Sequence, residues 1–412
     1  MSDISRPTGV DSHVSTWRLT LGVMFLAQFL SGVGFSFVLP FFPFYFRDLG
    51  VVTQEENLMW NSWASLVFGV TMTVSAPLWG ILADRYGRKL MVMRSMLAGA
   101  VVLGLMGRAT SPWHLVILRL FQGATTGTVS ASVTLVSSIT PSVNLGFSLG
   151  LLQTAMLLGA AAGPILGGLL AEQFGYRLSC YISSALLLSG ALLVIFGAVE
   201  KFEPPSGAKT HGGTIIKGIL NTGGFKIILS IYFLIYVMTQ MLAPILPLYI
   251  ETFTSDTGRP ESMTGIFVGI TQLIAGLSAI AYGRLGDRLG YAKILVISLV
   301  ATGLATVPQA FASSITVLFI ERCLTGLAIG GLIPSVNALV SRIIPRDKIG
   351  SAYGLTSAVT CLGIGMGPFI GGIMASFAGL RFPFAFMGIS AFVIAFVTQR
   401  SIKRSGLGNG SS

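Results

Sequence analysis

Glu321 and Arg322 stand side by side in an apolar run that begins near Ile315, and Arg119 stands in a similar run that follows Trp113. Ionisable side chains in such surroundings are costly and usually functional. A carboxyl group there can take up and release a proton. A fixed guanidinium can bias the protonation of a nearby acid, or hold helix ends and backbone carbonyls in place. Of the 15 acidic residues, Glu321 alone falls well inside an apolar run; the others sit in tails, loops, loop motifs or run ends. Counted from Ile315, Glu321 lies about 9 Å deep at about 1.5 Å per residue. Neighbouring helix positions do not face each other, so Arg322 points elsewhere. Glu321 is therefore the expected proton carrier, with Arg119 and Arg322 as the modulating cations. A structural pairing with a basic neighbour, or a place in the headgroup zone, would serve no transport role.

Other chemistries lack their residues. His occurs only at positions 13, 114 and 211, there is no His-Glu-x-x-His, and no glycine loop ends in Lys-Ser or Lys-Thr. Cys180, Cys323 and Cys361 each stand alone in apolar segments, as small core residues do. No catalytic residue, metal site or cofactor is expected.

The elements that must position these charges are membrane helices. The chain of 412 residues is 53% hydrophobic and 10% charged, where soluble domains carry about 25% charged residues. Spans of about 20 apolar residues fall near 18–46, 61–82, 91–107, 113–135, 146–170 and 178–199, then 225–250, 263–283, 293–310, 315–340, 350–376 and 383–400. The first stretch reads as span 1, since no cleavage site follows a short core. The fold class is an all-α membrane protein of twelve transmembrane helices in two parallel six-helix pseudo-repeats. Its parts are an N-tail (1–17), a first bundle (18–199), a polar linker (200–224), a second bundle (225–400) and a C-tail (401–412). Lys and Arg concentrate on the side shared by the tails and linker, which the positive-inside rule makes cytoplasmic. The net charge of +11 is thereby a matter of topology. The basic residues are scattered over several loops, so nucleic acid is not an expected partner.

An internal period of about two hundred residues is legible. Pro40, Pro43 and Tyr45 recur as Pro244, Pro247 and Tyr249. Gly80, Asp84, Arg85 and Gly87 recur as Gly283, Asp287, Arg288 and Gly290, and Arg119 recurs as Arg322. Gly159, Gly163, Pro164 and Gly167 of span 5 recur as Gly363, Gly367, Pro368 and Gly371 of span 11. Glycines four apart leave a bare stripe for close helix packing, and each proline removes a backbone donor and favours a kink. Glu321 has Leu118 as its counterpart and breaks the symmetry. Six spans per half make the repeats parallel, the arrangement of transporters in which one half rocks against the other.

The loop Gly80-Ile-Leu-Ala-Asp84-Arg85-Tyr-Gly87-Arg88-Lys89, with its second copy from Gly283, resembles the signature loop of the major facilitator superfamily. Arg119-Leu-Phe-Gln-Gly123 resembles that family's span 4 motif. Gly159-Ala-Ala-Ala-Gly163-Pro164-Ile-Leu-Gly167-Gly168 resembles the span 5 motif of its twelve-span drug:proton antiporters. The resemblance covers about residues 18–400. It implies an inner-membrane, monomeric exporter of small toxic organic compounds, driven by the proton gradient through alternating access. Asp84, at a helix end followed by cations, is expected to latch the halves against the amino-terminal dipole of span 11 when the site faces outward. Asp287 is expected to do the same toward span 5.

The resemblance also implies a cavity lined by spans 1, 2, 4 and 5 and their counterparts. The candidates are Gln28, Phe35, Gln153, Tyr232, Tyr236, Gln240, Met241, Gln272 and Asn337; aromatic and Met side chains would hold apolar bodies adaptably. Span 1 carries no carboxylate, unlike many relatives that export cations. Strongly cationic substrates are thus disfavoured against neutral, zwitterionic or anionic ones. Export of one metabolite, such as a sugar or siderophore, is the alternative; a membrane enzyme or receptor is the remote one.

Overall fold

The computed structural model describes residues 10–200, 202, 224–254, 258–345 and 349–405, with backbone alone at 10–16, 84, 349–350 and 402–405. The N-tail to residue 9, most of the linker with His211, the C-tail from 406 and the Asp84 side chain lie outside this description.

Every regular element among the described residues is helical. Ten segments are long and apolar enough to cross a membrane. One of them, Ser142–Gly197, is 56 residues long, roughly twice what a bilayer core takes. It folds back at Gly175, whose φ of 79° costs little without a Cβ, and so supplies spans 5 and 6. Span 4 is a broken helix, Pro112–Thr125 followed by Thr128–Ile139. Together these give the twelve spans read from the sequence. Span 1 continues from Val10–Ser36 through a turn at Leu39–Phe41 into Phe42–Asp48, and span 7 is likewise divided into Phe225–Gln240 and Ile245–Thr254.

The repeat is visible in the packing. An added Cβ on Gly163 would lie 2.8 Å from the Val33 carbonyl oxygen, and one on Gly367 2.6 Å from that of Val237. Each glycine stripe thus seats its helix directly on the first span of its own half. Tyr45 donates its hydroxyl to the Met106 carbonyl at 2.7 Å, and Tyr249 donates to Gln309 at 3.0 Å. The helices run through Pro164 and Pro368, and around Pro164 the backbone stays helical, so the one break inside Leu145–Gly197 is at Gly175.

Between the halves, span 5 lies along span 8 and span 11 along span 2. Gly365 and Gly69 meet at a crossing where a Cβ on Gly365 would be 2.7 Å from the Gly69 Cα. The two ends of the bundle differ. At the distal end, near Leu49 and Gly175, Arg47 forms a two-pronged ion pair with Glu251 at 2.5 and 2.8 Å. There Tyr176 donates to Glu261 at 2.5 Å, Ser262 bonds to Glu172, and Arg259 lies 3.5 Å from Glu172. All of these join one half to the other. At the end holding Trp17 and Ser401, a Cβ on Gly80, Gly146, Gly283 or Gly354 would meet nothing within 4 Å. Among the described residues, every hydrogen bond and ion pair that joins the two halves lies at the distal end, and none joins them at the terminal end.

Arg94 lies near the terminal end, in the second turn of span 3, the helix Arg88–Met106. Its guanidinium stacks 3.3 Å above the Trp79 ring.

Candidate functional site

A cavity of about 610 Å³ lies between the halves, in the size range of sites for drug-like molecules. Its wall is built from both repeats. Pro40, Phe42, Asn61, Ser65, Phe68 and Arg119 come from the first, and Tyr236, Gln240, Gln272, Arg322 and Pro368 are among those from the second. The divided helices of spans 1 and 7 contribute their interruptions, Leu39–Pro40 and Ala243–Pro244, to this wall. Proline there ends the first helical piece because its nitrogen cannot donate.

Among the described residues, the charged groups of the wall are Arg119 and Arg322, and no Asp or Glu lines it. Arg119 is buried. It donates to Gln122 at 2.7 Å and lies 4.0 Å over the Phe68 ring and 5.5 Å from that of Phe42. Its Nε has no partner. Arg322 is part-buried and forms no hydrogen bond or ion pair among the described residues, and its buried Nε is likewise unpaired. A guanidinium is always charged, so this cavity is cationic.

Glu321 does not share it. It is not among the lining residues, and its buried Oε2 has no hydrogen-bond partner among the described residues. Its backbone carbonyl accepts from Gln309 and Thr325. The right-angle spacing of neighbouring helix positions places the two charges on different faces.

Of the nine residues expected to line the cavity, the structure brings Tyr236, Gln240 and Gln272 into the wall. Tyr232 is buried just behind, stacked on Tyr236 at 5.3 Å and hydrogen-bonded to Asn337 at 3.2 Å. Phe35 is displaced to the interior of the first half, where its ring fills the space over Gly99 of span 3. Met241 packs on Gly371 of span 11. Gln28 is buried with its Oε1 unpaired, and Gln153 is exposed on span 5 toward the terminal end. Phe35 and Met241 pack against helices of their own halves; a reading from sequence misses this, because hydropathy does not tell the cavity face of a buried helix from its packing face.

In the signature loops, Gly87 and Gly290 take φ of 95° and 89° at the helix ends, a conformation that favours glycine. Asp287 accepts from Tyr291 at 2.6 Å in its own loop and not from span 5. The Arg85 guanidinium lies over the neighbouring Tyr86 ring. Glu200, at the end of span 6, accepts from the backbone N–H groups of Arg88 and Lys89 at 3.0 and 2.8 Å. It caps the free donors of the span 3 helix. The sequence reading had left Glu200 as a linker residue. It also missed Phe42, Asn61, Ser65 and Phe68, which no periodicity singles out. Arg47 and Glu251 were findable, since they stand at equivalent repeat positions with opposite charge.

Two parallel helical repeats around a central cavity, tied to each other at the distal end, define a secondary transporter. The Major Facilitator Superfamily model matches residues 24–231 and 228–406; the chain belongs to this family. It is 36% identical over 92% of its length to the multi-drug resistance efflux pump PmrA homolog of Lactococcus lactis, covering 93% of that protein. It is 35% identical over 92% of its length to the multidrug resistance protein MdtG of Citrobacter koseri, covering 93% of it. Among solved structures, a bacterial homolog of the human lysosomal transporter Spinster, in an inward-facing and occupied conformation, superposes with a TM-score of 0.79 at 14% identity, with 99% of both chains covered.

Proposed function

We propose that the chain is a proton-driven exporter of drugs or other small toxic organic compounds. It works by alternating access as a monomer in a cell's inner membrane, with both termini in the cytoplasm. The observation that carries this reading is the central cavity, walled by both repeats and sealed on one side alone by contacts between them. If Lys and Arg set the orientation, the end without contacts between the halves faces the cytoplasm, and the state seen is the one that loads substrate. The curated relatives that share about a third of its residues are named as multidrug pumps, which supports a broad substrate range.

Transport then requires the distal contacts to part and the terminal end to close. Closure would bring Gly80, Asp84, Gly146 and Gly354 together, and there the signature loops Gly80–Arg88 and Gly283–Arg288 would latch. Glu321 supplies the embedded carboxyl group for the proton, because an unpaired buried oxygen is costly to leave ionised.

Purified protein in proteoliposomes under an imposed proton gradient tests the reading. Several structurally unrelated compounds should move, and collapsing the gradient should stop them. Movement that ignores the gradient, or that is confined to a single metabolite, would overturn it. Glu321→Gln should uncouple transport from pH; unchanged pH dependence removes Glu321 from the proton path.

A further inference from the structure

We propose that Arg119 and Arg322 form an anion seat, and that the preferred substrates are amphipathic organic anions: an apolar body bearing a carboxylate, sulfonate or phosphonate. The proposal rests on the reading of this cavity as the transport site and names what that site selects.

Two guanidinium groups face one cavity whose wall, among the described residues, holds no carboxylate. Neither has an ion-pair partner among the described residues, and each has a buried Nε with no acceptor. Buried charges are normally paired. An unpaired pair of like charges is a standing cost that an incoming anion relieves, and an incoming cation raises. A planar guanidinium fork matches the oxygens of a carboxylate, sulfonate or phosphonate and binds them by charge-assisted hydrogen bonds.

The two arginines are not equally free. Arg119 is held by Gln122 and lies over Phe68 and near Phe42, so it acts as a fixed positive field. Arg322 makes no hydrogen bond among the described residues, so its donors are available. Gln240 and Gln272, in the same wall, offer neutral donors to further oxygens. Phe42, Phe68 and Tyr236 in the same wall offer aromatic surface to the apolar body. The wall thus has an assigned partner for each part of such a molecule.

Three aryl probes of matched size separate the alternatives: naphthalene sulfonate, its uncharged sulfonamide and naphthyl trimethylammonium. Binding is measured on detergent-purified full-length protein by competition calorimetry, and transport is measured in proteoliposomes. The sulfonate should bind the wild type at least about tenfold more tightly than the ammonium, as charge-assisted hydrogen bonds are worth that much. Arg322→Gln should lower the ratio of sulfonate to sulfonamide affinity about tenfold, and Arg322→Lys should restore part of it. A monodisperse elution profile for each variant shows that it is folded. Equal or tighter binding of the ammonium, no binding of the sulfonate, or an unchanged ratio in Arg322→Gln overturns the seat. If the sulfonate binds selectively but is not driven by the proton gradient, the export reading fails and the seat stands. If compounds are exported without preference for the anion, the seat fails and the exporter stands.

Discussion

The two halves of this chain are copies of one packing scheme with different surroundings for the same charge. Gly163 on Val33 and Gly367 on Val237 are equivalent contacts, and so are the hydroxyls of Tyr45 and Tyr249 on Met106 and Gln309. Around the paired arginines the copies diverge. Phe42 and Phe68 flank Arg119, where the equivalent positions near Arg322 are Leu246 and Thr271. Gln122, which accepts from Arg119, is replaced by Thr325, which bonds to Gln309 instead. The first half has made its arginine part of the wall, and the second has left its arginine free. Duplication supplied the scaffold, and a few substitutions at fixed backbone positions divided the labour.

The shared packing should give the largest effects. Gly163→Val and Gly367→Val each force a side chain onto a carbonyl oxygen less than a bond-contact distance away. Overpacking of this kind costs about 1–3 kcal/mol, and more where backbone must move. Both variants should lose most of their folded, monodisperse protein, and to a similar degree. A severe loss from one and near-normal yield from the other would show that the two halves are not mechanically equivalent. Gly80→Ala, where an added Cβ meets open space among the described residues, should leave yield unchanged and serves as the contrast.

The divergent arginines should give intermediate effects. Arg119→Lys removes the stacked planar group and its fork toward Gln122, a desolvated cation–π contact worth about 2 kcal/mol. Arg322→Lys removes no hydrogen bond and no ring contact. Thermal unfolding followed by fluorescence-detected chromatography should show a clear fall for Arg119→Lys and almost none for Arg322→Lys. Equal shifts would mean that the clamping of Arg119 contributes nothing beyond its charge.

The same division explains what was legible in the sequence. The spans, the repeat and both arginines follow from hydropathy and from residues that recur in register, because these patterns are properties of single helices and of the duplication itself. Which face of a helix meets the cavity depends on how the helices of each half pack together and on how the halves dock. Phe35 and Met241 therefore turned into helix contacts, while Phe42 and Phe68 turned into the wall. The roles of Glu200 and Arg94 depend on partners more than ten residues away in the chain, at the ends of other helices, and local pattern carries no trace of such partners.

The smallest expected effect lies where the two copies touch. Arg47 and Glu251 are 204 residues apart, one repeat, so the axis relating the halves passes between them. A parallel duplication would put like charges face to face there, and the substitution of one sign makes the contact attractive. The side chains are 40% and 31% exposed, so water screens the pair and its worth is at most about 1 kcal/mol. That suffices to shift a balance between two states of similar free energy by about fivefold. Arg47→Glu should therefore favour the state open at the distal end. The shift should appear as faster labelling of a cysteine placed on the cavity wall by an impermeant maleimide added from that side. The exchanged variant Arg47→Glu/Glu251→Arg should return labelling to the original rate, since the axis makes the two positions interchangeable. If the second substitution instead adds to the effect of the first, the pair does not act as a unit, and the closure of the distal end rests on Glu172, Glu261 and their partners alone.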